Sequence, residues 1–308
     1  MPTRRPIIVG VSTASSDPAA TEWAASEAAL RSRALHIVAV ADDLDSIAGA
    51  SPQAADYCHD IERAAQTVLT EARVVARQAA HRVGVPDLAI GTRLLKGSVR
   101  DQLIRQSIDA DMIVVGIDPA TGRGADVVAS ALATHAHCPV ALVPSGWKPA
   151  AGRHIVVGLD GSAPSAEAAA LAFDEADLRH VPLVAAHSWL DTGGRSAYVA
   201  ASPNVIDARD AESTLLAEQL AGWCRDYPDV STTLHTMHAD PVDLLTRLGT
   251  QAELLIVGSR GLGGFSGMLL GSTSQRLLPK PPCPLIVVRN PNLSSGRIFH
   301  RLARSVAR

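Results

Sequence analysis

Three segments from the first half of this chain return in the second half at nearly constant spacing. "PIIVGVSTASSDPAATEWAASEAALR" (Pro6 to Arg31) reappears as "HIVVGLDGSAPSAEAAALAFDEADLR" (His154 to Arg179). "DMIVVG" (Asp111 to Gly116) reappears as "ELLIVG" (Glu253 to Gly258), and "HCPVALV" (His137 to Val143) as "PCPLIVV" (Pro282 to Val288). The offset runs from 142 (Asp111 to Glu253) to 148 (Pro6 to His154). One unit of roughly 145 residues has therefore been duplicated. Whatever the unit folds into, the chain must build twice, and each copy is long enough to bury its own core. The expected organisation is a first domain over residues 1–145, a linker over 146–153, a second domain over 154–290 and a basic tail over 291–308. The linker lies within "PSGWKPAAGR" (Pro144 to Arg153), whose Pro and Gly interrupt regular structure.

Each copy alternates short β-branched runs with longer helical patterns. In the second copy strands are expected near His154–Leu159, Pro182–His187, Val230–Met237, Glu253–Gly258 and Pro284–Val288. Helices are expected near Ala163–Arg179, Asp207–Asp226, Pro241–Gln251 and Leu269–Leu278. The runs "IVVGL", "LLIVG" and "LIVV" are apolar nearly throughout and do not alternate. Strands covered on both faces read this way, and they belong to parallel sheets sandwiched by helices. The fold class is α/β: two tandem doubly wound, Rossmann-like domains, each a five-stranded parallel sheet flanked by helices. Ligands of such sheets sit outside the carboxyl ends of the strands, where Gly258 and Asp160 both fall.

Composition narrows the function classes. Hydrophobic residues make up 47% and charged residues 19%, a globular balance in which Ala and Val replace aromatics, which are only 3%. The net charge of −3, with both signs interspersed, points away from nucleic acid. No stretch approaches the roughly 20 apolar residues of a spanning helix, and the apolar run near the N-terminus is too short for a signal peptide. Cys58, Cys138, Cys224 and Cys283 form no CxxC pair. These features lead us to expect a cytoplasmic protein without an integral membrane segment.

The stretch "GSRGLGGFSGMLLGSTSQRLL" (Gly258 to Leu278) carries six glycines between an apolar strand and a helix. Glycine supplies positive φ in a turn and also lets a ligand approach the backbone. Ser272 or Thr273 is positioned to cap the following helix, whose free amides favour an anion. No Lys follows the glycines, so this is no P-loop, and the partial G-x-G-x-x-G follows the fourth strand of its unit where the dinucleotide fingerprint follows the first. On these grounds a phosphate cradle and a plain flexible loop both remain open.

The spacing Gly258, Gly261, Gly271, Ser272 resembles the G-2x-G-9x-G-[S/T] motif of the ATP-binding universal stress proteins. "VVGLDGSAPSAEAA" (Val156 to Ala169) resembles that family's opening strand and loop, and "CPLIVVR" (Cys283 to Arg289) its closing strand. "ADPVDLL" (Ala239 to Leu245) is similar to its Gly-x-Pro segment, with Ala239 where Gly is usual. The resemblance extends over both units. It implies ATP, with or without Mg²⁺, held at the strand ends of a competent unit. Gly258 and Gly261 would pass close to ribose and phosphates, and Gly271, Ser272 and Thr273 would wrap the phosphates. Asp160 would contact the nucleoside, and Val257 and Ser188 would line the adenine pocket. It further implies a homo-oligomer, here a dimer of two-domain chains, and a regulatory protein partner that reads nucleotide occupancy. No catalytic residue is legible, so a non-enzymatic stress-response regulator is the leading reading. A slow ATP hydrolase or nucleotidyl transferase on the same site is one alternative, and a nucleotide-independent scaffold is the other.

The first unit departs from the motif. Pro119 stands where Gly261 does, Asp126 opposite Gly271, Val127 opposite Ser272 and Ser12 opposite Asp160. An Asp at a phosphate-facing helix start repels the ligand that Ser attracts, so one nucleotide per chain is expected, in the second unit. Cys138 and Cys283, each before a Pro, read as buried structural thiols. His135, His137, His235 and His238 have spacings a metal can use but no evident further ligand. The tail "SSGRIFHRLARSVAR" (Ser294 to Arg308) reads as a basic amphipathic end.

Overall fold

In the computed structural model, each apolar run of the second copy is a strand. The structure describes residues 4–13, 17–41, 52–118, 124–148, 153–189, 214, 217–218, 220–261 and 270–289. The chain divides into two units, Met1–Lys148 and Pro149–Arg308. The basic tail and the middle of the glycine run lie outside the described residues.

The first unit contains β1 (Ile7–Val11), α1 (Ala19–Leu30), β2 (Leu35–Ala41), α2 (Pro52–Arg82), β3 (Ile90–Lys96), α3 (Val99–Gln106), β4 (Met112–Ile117), α4 (Gly124–His135) and β5 (Val140–Pro144). Its strands are ordered β3-β2-β1-β4-β5, and every pairing is parallel. The second unit repeats the plan with β6 (His154–Leu159), α5 (Ala163–Arg179), β7 (Leu183–Trp189), a helical segment at 220–226, β8 (Thr232–His238), α6 (Pro241–Gly249), β9 (Ala252–Gly258), α7 (Ser272–Leu277) and β10 (Leu285–Val288). Its order is β8-β7-β6-β9-β10, again all parallel. Both sheets therefore reverse their winding at one place, between β1 and β4 and between β6 and β9. That switch point leaves a crevice at the carboxyl ends of the strands.

Why the central strands read as unbroken apolar runs is plain from their burial. Ile155, Val156 and Val157 of β6 and Leu254, Leu255 and Ile256 of β9 are fully buried. The outer strands β3 and β8 are half-buried instead, and their sequences are correspondingly mixed. Alanines line the helix faces that meet these sheets: Ala24, Ala25 and Ala28 of α1, and Ala168, Ala172 and Ala176 of α5, are inaccessible. Small side chains bring helix and sheet close, so an Ala- and Val-rich chain reaches native packing density with few aromatics.

One polar device appears in both units. Arg31 pairs with Glu27 one turn back and reaches Asp111 at 3.8 Å, just before β4. Arg179 pairs with Glu175 and reaches Glu253 on β9 at 3.1 Å. Glu27 and Glu175 are wholly buried. Each triad lies at the helix end remote from the switch-point crevice and locks that end to its sheet.

Candidate functional site

The crevice of the second unit is built by the ends of β6 and β9. Asp160 follows β6 directly, and Gly161 then takes φ +80°, the left-handed turn that only glycine adopts without strain. Ser162 caps α5, accepting from the Ser165 amide at 3.2 Å. Its own amide donates to Asp160 Oδ1 at 3.0 Å. Ser162 Oγ donates to the Arg260 carbonyl at 3.4 Å, so the loop after β6 is tied to the loop after β9.

Gly258, Gly261 and Gly271 do not have positive φ, which corrects the turn-forming role that glycine-rich sequence suggests. What they share is crowding. A Cβ on Gly258 would lie 2.8 Å from the Pro164 carbonyl carbon, in the first turn of α5. A Cβ on Gly261 would run into the Asp160 carboxylate. A Cβ on Gly271 would lie 3.3 Å from Arg260 Cα and 3.5 Å from the Gly261 nitrogen. These glycines bring three backbone segments and one carboxylate together.

The start of α7 also differs from expectation. Its N-cap is Gly271 and no side chain caps it, so Ser272 and Thr273 lie within the first turn rather than before it. Ser274 is the residue that turns inward, its hydroxyl donating to the Gly258 carbonyl at 2.7 Å. Gly271 N donates to the Ser259 carbonyl at 2.8 Å, which ties the start of α7 to the end of β9. Ser188 lies on β7 one residue past the Leu159–His187 pair, level with Asp160. The Val257 side chain faces the core, with its Cγ1 3.3 Å from the position a Cβ on Gly158 would take.

Sequence reasoning missed several residues here. Ser162 is the link between the loops. Ser259 is fully buried, and its hydroxyl has no hydrogen-bond partner among the described residues. Arg260 and Arg289 stand just beyond the ends of β9 and β10. Burial, and secondarily the Arg260 guanidinium, hold Arg289 below the ordinary arginine value. On the far wall Asp240 caps α6 through the amides of Val242 and Asp243. Its other oxygen accepts from Arg276 of α7 at 2.7 Å. That hydrogen bond is the main reason its carboxyl is held below the usual range.

The first unit fills the corresponding space differently. Ser12 follows β1 as Asp160 follows β6. Asp118 follows β4 at the place of Arg260, counting from the matched Gly116 and Gly258. Asp17, in the loop between β1 and α1, accepts from the amides of Ala19 at 2.8 Å and Gly146 at 2.5 Å. Pro119 lies outside the described residues. α4 opens at Gly124, so Asp126 belongs to its first turn, and Val127 is 60% exposed.

Among the described residues no group of three or more His, Cys, Asp or Glu side chains is placed to hold a metal ion, and no helix is long and apolar enough to cross a membrane.

The chain matches the model of the universal stress protein family twice, over residues 3–144 and 152–289. It is 34% identical over 307 residues to universal stress protein Rv1996 of Mycobacterium tuberculosis, covering 92% of this chain and 95% of that protein. A universal stress protein of Mycolicibacterium smegmatis is 35% identical over 289 residues, covering 92% and 96%. Among solved structures, a universal stress protein from Archaeoglobus fulgidus superposes with a TM-score of 0.61 at 14% identity, covering 94% of this chain and 97% of that one.

Proposed function

The chain belongs to the universal stress protein family as two tandem copies, and from that premise we propose that its second domain binds one molecule of ATP while the first binds none. The observation that carries this reading is the meeting of Asp160 with Gly261 at the switch point between β6 and β9. Two residues 101 positions apart come so close that only a glycine leaves room for the carboxylate.

The residues present suit a nucleotide. A cradle that any Cβ would fill is a place where a ligand approaches main-chain amides closely. The buried Ser259 hydroxyl, next to Gly258, lacks a hydrogen-bond partner among the described residues. In this assignment Asp160 accepts from the hydroxyls of the ribose. Gly258 and Gly261 admit the sugar and inner phosphates, and Gly271, Ser272 and Thr273 offer amides and hydroxyls to the phosphates. Ser188 borders the base, and Val257 backs it from the core. Mg²⁺ would come with the phosphates, since no metal cage stands ready among the described residues. In the first domain, Asp17 and Asp118 present negative charge where phosphate would have to enter.

We read the function as regulatory, with Asp160 as the one group a hydrolase on the same site could use as a base. Nucleotide occupancy favours one conformation or interface, and a partner protein or a second copy of the chain responds to it. That response requires different affinities for the two states.

The test is the nucleotide content of natively purified protein: denature it, identify what is released and count moles per chain. Close to one adenine nucleotide per chain, absent from Gly261→Asp, is the expected result. No release, together with no binding of added ATP, refutes the proposal and leaves a scaffold that works through its surface.

A further inference from the structure

β9 and β10 run side by side with Val288 opposite Gly258. The Ser259 amide donates to the Val288 carbonyl at 2.7 Å. Arg289 follows Val288 directly and Arg260 follows Ser259, so the two arginines stand one residue out of register at neighbouring strand ends. Arg260 already belongs to the cradle through its main chain, which touches the positions of Gly271 and Ser162. Arg289 is half-buried beside it.

Two arginines of this domain are answered by acids, Arg179 by Glu175 and Glu253 and Arg276 by Asp240. Arg260 and Arg289 form no ion pair with a described carboxylate. A half-buried cation beside a like charge sits in an unfavourable place that a bound anion would relieve. Burial first, and the Arg260 charge second, hold Arg289 below the ordinary arginine value. Counting from the matched strands, the first domain has Asp118 in place of Arg260 and Pro144 in place of Arg289. The arginine pair therefore occurs only in the domain that has the glycine cradle.

We propose that Arg260 and Arg289 form an anion subsite beside the cradle that takes the outer phosphates of a nucleoside polyphosphate. The assignment rests on the nucleotide reading above and adds to it the basis of selectivity. Each guanidinium fork binds phosphate oxygens in pairs. Two forks converging on one group are rewarded by a multiply charged terminal phosphate and not by a monophosphate held at the ribose end. The pair thus makes the domain select phosphate-chain length, favouring di- and triphosphates over mono- and cyclic nucleotides.

Titration calorimetry on the full chain tests this with three probes: ATP, AMP and inorganic tripolyphosphate. Wild type, Arg289→Met, Arg289→Lys and Arg260→Met are compared, with thermal melting as the folding control. Removing either guanidinium should weaken ATP and tripolyphosphate about tenfold or more while moving AMP less than about twofold. Arg289→Lys should recover only part of the loss, because it keeps the charge without the fork. If Arg289→Met does not fold, the exposed Arg260→Met carries the same prediction. An unchanged ATP-to-AMP ratio in wild type and folded variants overturns the subsite and leaves ATP binding standing. Arginine-dependent binding of tripolyphosphate without any nucleotide binding overturns the ATP reading and keeps the subsite. A wild type that binds none of the three overturns both.

Discussion

Gly258 and Gly261 are three residues apart in one motif, yet alanine at the two positions should do opposite things. At Gly261 the added methyl meets the Asp160 carboxylate, the far end of a side chain that can rotate away. Rotation sacrifices the bond from the Ser162 amide at 3.0 Å, worth about 1 kcal/mol net at a site open to water. Against this, alanine stiffens the unfolded chain and returns about 0.4–1 kcal/mol where φ is compatible, as it is here. The two terms nearly cancel, and the melting temperature should move by no more than about 2–4 °C. Nucleotide affinity should not survive. A displaced Asp160 no longer accepts from the ligand, and losing a hydrogen bond to a charged group weakens binding about ten- to a hundredfold.

At Gly258 the methyl meets Pro164, with the carbonyl carbon at 2.8 Å and the Cβ and carbonyl oxygen at 3.0 Å. Those atoms are main chain and ring at the start of a helix and cannot rotate aside. The helix and β9 must separate, an overpacking cost of about 1–3 kcal/mol, or a fall of roughly 3–10 °C in melting temperature for a domain of this size. Circular dichroism melts without nucleotide, paired with calorimetric titration of ATP, separate the two variants. The reasoning fails if Gly261→Ala melts as low as Gly258→Ala. It also fails if Gly261→Ala stays stable and binds ATP within about twofold of wild type.

The repeated buried triads predict the same kind of loss in both domains. Glu175→Ala leaves Arg179 without its buried partner and should cost about 3–5 kcal/mol in urea titration, with Glu27→Ala costing a similar amount in the first domain; a loss below about 1 kcal/mol in either would refute the role given to these pairs. For the thiols, burial pushes Cys138 and Cys283 up to about 12. Both should therefore stay protonated and unreactive toward a disulfide reagent at pH 8 while exposed Cys224 reacts; equal native rates for Cys138, Cys283 and Cys224 would refute it.

Much of this architecture was legible because duplication and burial both write themselves into sequence. The strands His154–Leu159 and the helix Ala163–Arg179 lie where the apolar pattern put them. β7 and β8 begin one and two residues later than the pattern suggests and run on to Trp189 and His238; in β8, a half-buried outer strand, the mixed sequence blurs the ends. The candidate site could be listed from the sequence as residues but not as a geometry. Glycine spacing identified Gly258, Gly261 and Gly271, but nothing local shows that their purpose is close approach rather than positive φ. That fact depends on Pro164 and Asp160, about a hundred residues away. Arg289 escaped notice for the same reason. It follows an ordinary apolar strand, and only the pairing of β9 with β10 sets it beside Arg260.

The comparison between domains separates what the fold needs from what the site needs. The parallel order, the alanine-lined helices and the Arg–acid triad are present in both copies. They lie in the core or at the helix end remote from the crevice. The differences gather at the carboxyl ends of the strands: Ser12 for Asp160, Asp118 for Arg260, Pro119 for Gly261 and Pro144 for Arg289. Residues that hold the sheet together cannot change without a cost in folding, whereas residues at the strand ends carry little of the core. A duplicated chain can therefore keep one copy competent for an anionic ligand while the other turns acidic at the same address. The two copies would then differ in charge at their crevices without differing in fold. On this reasoning, moving specificity from one domain to the other requires changes at the strand ends alone, and the triads and alanine faces should be left untouched.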